Sequence, residues 1–282
     1  MSFSMPRNRT PKADFVAAEA SPLGFAIAQA DSQTLSMVSA ALDTRRLRLA
    51  YQPVVMTADT ARVGFYEGFI RVLDPTGRAI PARDFIQVVE TQELGRRIDC
   101  AALQMGLHAL ARVPGLRLSI NMSARSIGYP GWTRILRHAL KTHPRLGERL
   151  ILEISESSAM TVPEIVIAFM NDMQKSGISF ALDDFGAGFM VPRYFRNFLF
   201  DMVKIDGQFT RGADHTPDNQ VMIEALVALA RNFDMFTVAE GVETVAEAEY
   251  LRAAGVDCLQ GYLFGSPTVK PDFLADAVAR SA

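Results

Sequence analysis

Glu67, Asn121, Glu153, Asp183, Asp184, Lys204, Glu240 and Gln260 are polar residues that interrupt or end runs of apolar ones. Glu67 lies inside Gly64-Phe65-Tyr66-Glu67-Gly68-Phe69-Ile70, Asn121 ends Leu118-Ser119-Ile120-Asn121, and Glu153 follows Ile151-Leu152. Asp183 and Asp184 follow Phe180-Ala181-Leu182, Lys204 stands in Met202-Val203-Lys204-Ile205, Glu240 follows Thr237-Val238-Ala239, and Gln260 ends Val256-Asp257-Cys258-Leu259-Gln260. A buried charge without a partner is costly, so each of these groups needs a partner or a metal. Carboxylates, amide oxygens and one lysine gathered at a common point would form a hard-oxygen cage suited to Mg²⁺, Mn²⁺ or Ca²⁺. His108, His138, His143 and His215 fall in helical or loop patterns, which speaks against a zinc centre built on His and Cys. Taken singly, a strand-ending Glu is an ordinary helix cap or salt-bridge partner, and Lys204 an ordinary partner for Asp201 or Asp206. The recurrence of one such residue on strand after strand is what favours a shared site.

The elements that must position them alternate along the chain. Strand-like runs are Leu47–Val55, Val63–Val72, Leu116–Asn121, Leu150–Ser155, Ile178–Asp183, Met202–Ile205, Met235–Ala239 and Val256–Leu263. Helical patterns lie between most of them, at Ile98–Ala111, Trp132–Thr142, Glu164–Lys175, Asn219–Asn232 and Thr244–Ala254, with Gly177 and Gly255 where helices should stop. Ser32 is a candidate cap for a further helix through Leu35, Val38 and Leu42. The pattern predicts an α/β fold, a (β/α)₈ TIM-like barrel. It is irregular at its first two strands, because the link Thr57–Arg62 is too short for a helix and implies a hairpin. Alternate side chains of a strand face opposite sides, so one polar residue per strand can reach the barrel axis at the C-terminal ends, where barrel active sites form.

Composition narrows the class. A chain of 282 residues with 49% hydrophobic content can bury a sizeable core. The net charge of -2 gives no sign of a general nucleic-acid or membrane binder. Cys100 and Cys258 read as free thiols of an intracellular protein. The N-terminus lacks the apolar region of a secretory signal, and no apolar run approaches the roughly 18 residues of a membrane span. The expected location is cytoplasmic. Residues 1–20 read as a disordered polar tail and 21–282 as one barrel domain.

These residues resemble the EAL-domain family, the phosphodiesterases of cyclic di-GMP. The strings that carry the resemblance run from about Leu42 to Thr268. They are Tyr51-Gln52-Pro53-Val54-Val55, Tyr66-Glu67-Gly68-Phe69-Ile70-Arg71, Ser119-Ile120-Asn121-Met122-Ser123 and Leu152-Glu153-Ile154-Ser155-Glu156-Ser157. They continue with Leu182-Asp183-Asp184-Phe185-Gly186-Ala187-Gly188, Val203-Lys204-Ile205-Asp206, Ala239-Glu240-Gly241-Val242-Glu243-Thr244 and Gln260-Gly261-Tyr262-Leu263-Phe264. The resemblance implies that Glu67, Asn121, Glu153 and Asp183 hold one metal and that Asp183, Asp184 and Glu240 surround a second. It implies that Lys204 is a catalytic residue contacting the attacking water and that Glu240 is a base or ligand. Gln52, Arg71 and Gln260 become substrate contacts, Glu156 a brace for the loop after Asp184, with Gly186 and Gly188 in that loop, and Glu243 a site-lining group. Mg²⁺ or Mn²⁺ would be the cofactor, two ions per site, with Ca²⁺ inhibitory.

Two departures stand out. The family's Glu-Ala-Leu signature is here Glu67-Gly68-Phe69, and after Phe189 the usual small hydroxyl residues are replaced by Met190, Val191, Pro192 and Arg193. That loop links dimer contacts to metal binding in the family, so a homodimer is a further expectation. The leading reading is hydrolysis of cyclic di-GMP to linear pGpG. The alternatives are a catalytically weak member acting as a cyclic di-GMP receptor or protein-interaction module, and a metal-dependent barrel lyase that binds no nucleotide.

Overall fold

The computed structural model describes residues 21–188 and 196–274. Strands β1 (Leu47–Met56) and β2 (Asp59–Leu73) form an antiparallel hairpin with Thr57 and Ala58 as its connector. The expected link Thr57–Arg62 is thus mostly strand, because Asp59 already pairs with Met56. The strands that follow are β3 (Ala79–Pro81), β4 (Leu118–Asn121), β5 (Leu150–Ser155), β6 (Ser179–Phe185), β7 (Met202–Ile205), β8 (Phe236–Ala239) and β9 (Cys258–Gln260). Their order, β1-β9-β8-β7-β6-β5-β4-β2-β3, closes on itself because β1 also pairs with β2. β3 hangs from β2 outside the ring. β2 and β4 to β9 run parallel, while β1 is antiparallel to both its neighbours. This is the irregular TIM-like barrel that the alternation implied. The last strand is shorter than the expected Val256–Leu263, because the chain turns at Gly261, whose carbonyl accepts from Phe264 N–H at 3.1 Å.

Among the described residues, besides the short helix Ile86–Val89 and three 3₁₀ turns, the helices are α1 (Pro22–Asp43), α2 (Glu93–Arg112), α3 (Pro130–Thr142), α4 (Glu156–Thr161), α5 (Pro163–Gln174), α6 (Gly207–Thr210), α7 (Pro217–Asn232) and α8 (Val245–Ala254). Proline opens α3, α5 and α7, where its missing N–H costs nothing and its fixed φ suits the first turn. α1 starts ten residues before Ser32: Ser21 is its cap, accepting from Gly24 N–H, and Pro22 follows it. The Ser-Pro pair is the stronger start signal, and the apolar spacing at Leu35 marks only where α1 meets the core. α8 has a reciprocal capping box between Thr244 and Glu247 and ends on Gly255 at φ 84, a conformation that favours glycine. Among the described residues, no helix is long and apolar enough to cross a membrane.

The core has two layers. Leu150, Leu152 and Ile154 of β5 face outward into the main cluster shared with the helices, whereas Ile151 faces the barrel axis. With Val54, Phe65, Ala181, Val238 and Cys258, Ile151 forms a small separate plug inside the ring. The split follows from the pleat, which sends successive side chains to opposite faces. Burying each valine, leucine, isoleucine or phenylalanine among them stabilises the fold by about 1.5–3 kcal/mol.

Asp99 on α2 is a buried polar exception. Its carboxylate accepts from Ser126 Oγ at 2.6 Å and Ser123 N–H at 3.0 Å, tying α2 to the loop after β4. Burial pushes its pKa up to about 6, against the partial opposition of those hydrogen bonds. A carboxyl whose folded pKa is raised is favoured in its protonated form. Its contribution to stability is therefore greatest below the unfolded value, and it declines as pH rises from about 4 to about 6, at a slope approaching 1.4 kcal/mol per unit. Asp99→Asn should flatten that part of the stability curve. Denaturant melts at pH 4, 5, 6 and 7 test this, and an unchanged slope rules Asp99 out as its source.

Candidate active site at the barrel mouth

Two residues beyond each side chain of the inner plug, on the same face of the pleat, stands a polar group. Phe65 is followed in this way by Glu67, Ile151 by Glu153, Ala181 by Asp183, Val238 by Glu240 and Cys258 by Gln260. Met202, packed against the plug, is followed by Lys204, and on the reversed strand β1 Val54 is preceded by Gln52. The convergence is thus a consequence of the period-2 pleat applied to every strand of a closed ring.

Lys204 Nζ is the hub. It lies 2.9 Å from Glu67, 2.9 Å from Glu153, 3.1 Å from Asp183 and 2.6 Å from Glu240. Gln260 Nε2 donates to Glu67 at 2.8 Å and to Gln52 Oε1 at 3.2 Å, and Asn121 Nδ2 donates to Glu67 Oε1 at 2.7 Å. Gln52 Nε2 in turn reaches the Gly265 carbonyl at 3.0 Å. Gln52 and Gln260 therefore spend their amide donors inside the wall of the site, holding Glu67 in place.

The charges do not balance. Glu67, Glu153, Asp183 and Glu240 face a single ammonium, and Asp184 adds a further carboxyl. Burial drives the Glu153 pKa well above the usual range, reinforced by Glu67 and only partly offset by Lys204. Burial raises Glu240 to about 8 despite Lys204. Burial and the neighbouring Asp183 raise Asp184 to about 6. Glu67 is the exception: burial pushes it up, but Lys204 and its three hydrogen bonds outweigh that and hold it low. Lys204 is itself opposed by burial, yet the four carboxylates keep it firmly protonated. Surplus negative charge among oxygen donors fits a hard divalent cation. Among the described residues, Asp183, Asp184 and Glu240 present ligand oxygens within 4.8 Å of one another.

Two consecutive residues of a regular strand cannot both face the axis. β6 solves this with a bulge. Leu182 pairs with Val203 and Phe185 with Ile205, and between them Asp184 takes φ 57. The irregularity re-aims the chain so that both carboxylates reach the mouth. Just beyond it, Gly186 N–H donates to Glu156 Oε2 at 3.3 Å, which ties the first residue after β6 to the start of α4. Gly188 lies beside the same carboxylate. Phe189, Met190, Val191, Pro192 and Arg193, on which the loop and dimer expectations rested, lie outside the described residues, as does the expected tail 1–20.

Gly186 sits at φ +92, and a Cβ there would lie 2.9 Å from Leu226 Cδ1 and 3.1 Å from Phe209 Cε2. Gly186→Ala should destabilise the protein by about 2 kcal/mol, lower Tm by about 4–8 °C, and weaken metal binding by displacing the Asp183-Asp184 bulge. Calorimetric titration with Mn²⁺ beside a thermal melt checks both. Unchanged metal affinity in a destabilised variant would separate the bulge from the loop.

Gly68 also has a steric reason. A Cβ there would fall 2.8 Å from Ile120 Cδ1 and 3.0 Å from Leu49 Cδ2, so those side chains occupy the space an alanine methyl would need. The backbone of β2 keeps its register with Tyr51 opposite Gly68 and Gln52 opposite Glu67. The altered signature thus leaves the Glu67 carboxylate at the barrel mouth, against Lys204 and Gln260. Phe69 lines the neighbouring cavity, with the Arg71 guanidinium 5.5 Å from its ring centroid.

A cavity of about 590 Å³ opens on the hub, lined by Gln52, Phe69, Glu240, Glu243 and Gln260 among others. Arg83, Gln208, Arg211 and Tyr262 also line it, and the strand-by-strand reading did not single them out. Tyr262 was within reach, two residues past Gln260. Arg83 and Arg211 sit on connecting segments with no periodicity to mark them. A slightly larger cavity of about 620 Å³ lies away from the hub, between α1, β1 and α2, and carries none of the clustered carboxylates.

Residues 35–267 match the family profile described as EAL domain. The bifunctional diguanylate cyclase/cyclic di-GMP phosphodiesterase MucR of Pseudomonas aeruginosa is 32% identical over 253 residues, covering 88% of this chain and 37% of that protein. The cyclic di-GMP phosphodiesterase PdeL of Escherichia coli is 29% identical over 256 residues, covering 88% of this chain and 70% of that protein. The chain spans 37%, 31% and 27% of the lengths of three of the curated relatives it matches. A solved structure described as the PaMucR phosphodiesterase in complex with c-di-GMP aligns with a TM-score of 0.73 at 30% identity, over 84% of this chain and 97% of that one.

Proposed function

Because this chain belongs to the EAL domain family, we propose that it is a metal-dependent phosphodiesterase that opens cyclic di-GMP to linear pGpG. The observation that carries the reading is the hub. Glu67, Glu153, Asp183 and Glu240 meet at Lys204, with Asn121 and Gln260 donating to Glu67, next to a cavity large enough for part of a nucleotide. The names of MucR and PdeL and the c-di-GMP in the MucR structure support the choice of substrate.

Glu67, Asn121, Glu153 and Asp183 would hold one divalent ion, and Asp183, Asp184 and Glu240 a second. Mg²⁺ or Mn²⁺ bound there would supply Lewis-acid charge to the phosphoryl oxygens and lower the pKa of a bound water. Lys204 keeps its proton in this acidic surround and places a fixed positive charge where negative charge develops in the transition state. Glu240, 2.6 Å from Lys204 Nζ, is the candidate base for the proton that the attacking water loses. Arg71, half-buried with its guanidinium over the Phe69 ring, would offer a guanidinium to a phosphate. Asp206, Gln208 and Glu243 line the cavity beyond it. The protein would act in the cytoplasm, where a cyclic dinucleotide signal is made and read.

The test is direct. Purified protein with Mg²⁺ or Mn²⁺ should convert cyclic di-GMP to pGpG, resolved by chromatography. Binding without any product would leave a receptor, and neither binding nor product would sink the nucleotide reading altogether.

A further inference from the structure

Arg211 and Glu243 stand side by side on the cavity wall, with Arg211 Nε 4.0 Å from Glu243 Oε1 and the two side chains 67% and 52% exposed. At that distance and exposure the pair contributes little to stability. Among the described residues, neither side chain has a hydrogen-bond partner of its own, so their capacity is turned toward the cavity. Their backbones, in contrast, are firmly tied. The buried Glu247 carboxylate accepts from Gly212 N–H at 2.8 Å, next to Arg211, and from Glu243 and Thr244 N–H at 2.9 and 3.0 Å. Thr210 Oγ1 donates to the Glu240 carbonyl, a second tie between the segments after β7 and β8. The Arg211 guanidinium lies along Gly207 and Gly241, where a Cβ would come within 3.9 and 3.7 Å of its nitrogens. Two loops are thus tied together at the backbone beside an exposed donor and an exposed acceptor.

A purine edge carries groups complementary to such a pair. Guanine presents the O6 acceptor beside the N1–H and N2–H donors. A carboxylate accepts both N–H groups while a guanidinium donates to O6 and N7. Adenine reverses the pattern, setting its amino donor against the guanidinium and its N1 acceptor against the carboxylate. Tyr262, 59% exposed on the same cavity, offers a face on which a base can stack. We infer that Arg211 and Glu243 form the base-reading pair of this site and select guanine over adenine, with Glu247 as their positioning residue. The inference rests on the cyclic-dinucleotide reading and adds which side chains choose the base.

The experiment is calorimetric binding in Ca²⁺, with the guanine cyclic dinucleotide and its adenine counterpart as probes. It compares wild type, Arg211→Ala and Glu243→Gln, each checked by thermal melt. Wild type should prefer the guanine form. Each substitution should weaken guanine binding by about 5- to 150-fold, the worth of one good base contact, and leave adenine binding within about twofold. Variants that keep the wild-type guanine-to-adenine ratio would overturn the pair and leave the substrate class standing. So would variants that lose both nucleotides equally, since that is the loss of a general charge. A wild type that binds neither nucleotide would overturn the substrate reading and this inference with it.

Discussion

Lys204→Met should slow hydrolysis of cyclic di-GMP by at least about a hundredfold, the scale of losing one preorganised electrostatic group, while nucleotide and metal still bind. The substitution keeps the bulk of the side chain and removes only the charge. That charge lies within 2.6–3.1 Å of four carboxylates in a buried hub. Removing one partner of such a network costs about 3–5 kcal/mol, because the remaining charges stay buried and uncompensated. In chelator, Tm should therefore fall by about 6–20 °C. The deficit should shrink as pH falls, since protonated carboxyls need no cation. It should also shrink on adding Mg²⁺ or Mn²⁺, which supplies the missing positive charge to the same oxygens. The variant should thus gain more stability from metal than wild type does. A near-wild-type rate would remove Lys204 from the chemistry. An unchanged melting temperature in chelator would show that the four carboxylates do not depend on it.

Much of this hub was legible in the sequence for one reason. A barrel strand buried on both faces should be apolar throughout, so a single Glu, Asp or Lys inside it is conspicuous. The pleat then fixes which way it points. That logic located Glu67, Glu153, Asp183, Lys204, Glu240 and, as an uncharged polar end, Gln260, while the short link Thr57–Arg62 located the hairpin at the start of the ring. It did not reach the groups between strands. Arg83 and Arg211 lie on segments after β3 and α6, where no period links sequence to direction. Short apolar runs also misplace their own ends: Val256–Leu263 reads as one strand, yet only Cys258–Gln260 pairs, because Gly261 turns the chain. The start of α1 went unread because its first turns carry exposed apolar side chains, Leu23, Phe25 and Ile27, with no amphipathic pattern to extend from Leu35. The bulge at Asp183-Asp184 is a different case. Adjacent carboxylates look incompatible with a regular strand, and only the irregular pairing to β7 shows how both reach the mouth.

Glu67→Ala and Asp183→Ala should lose metal affinity and hydrolysis together, which Lys204→Met should not. Glu67 accepts from Lys204, Gln260 and Asn121 at once, so its loss frees Asn121 and Gln260 as well as removing a donor oxygen. Asp183 is the carboxylate that belongs both to the hub and to the group with Asp184 and Glu240, so its loss should empty both halves of the cage. In wild type, a chelator should abolish turnover, and Mg²⁺ or Mn²⁺ should restore it. Ca²⁺ should bind and inhibit, because its bonds of about 2.3–2.6 Å and looser geometry hold the site oxygens differently from Mg²⁺ at about 2.0–2.1 Å. Binding can be read without turnover. Metal at about a hundred times its Kd should add about 2.7 kcal/mol to wild-type stability, and the gain should vanish in Asp183→Ala. Turnover that is equal in chelator and in Mg²⁺ would remove the metal from the mechanism. A metal-induced stability gain that survives in both variants would mean that the ion binds elsewhere on the chain. The hub would then be an internal salt-bridge cluster, with Lys204 as the cation its carboxylates were built around.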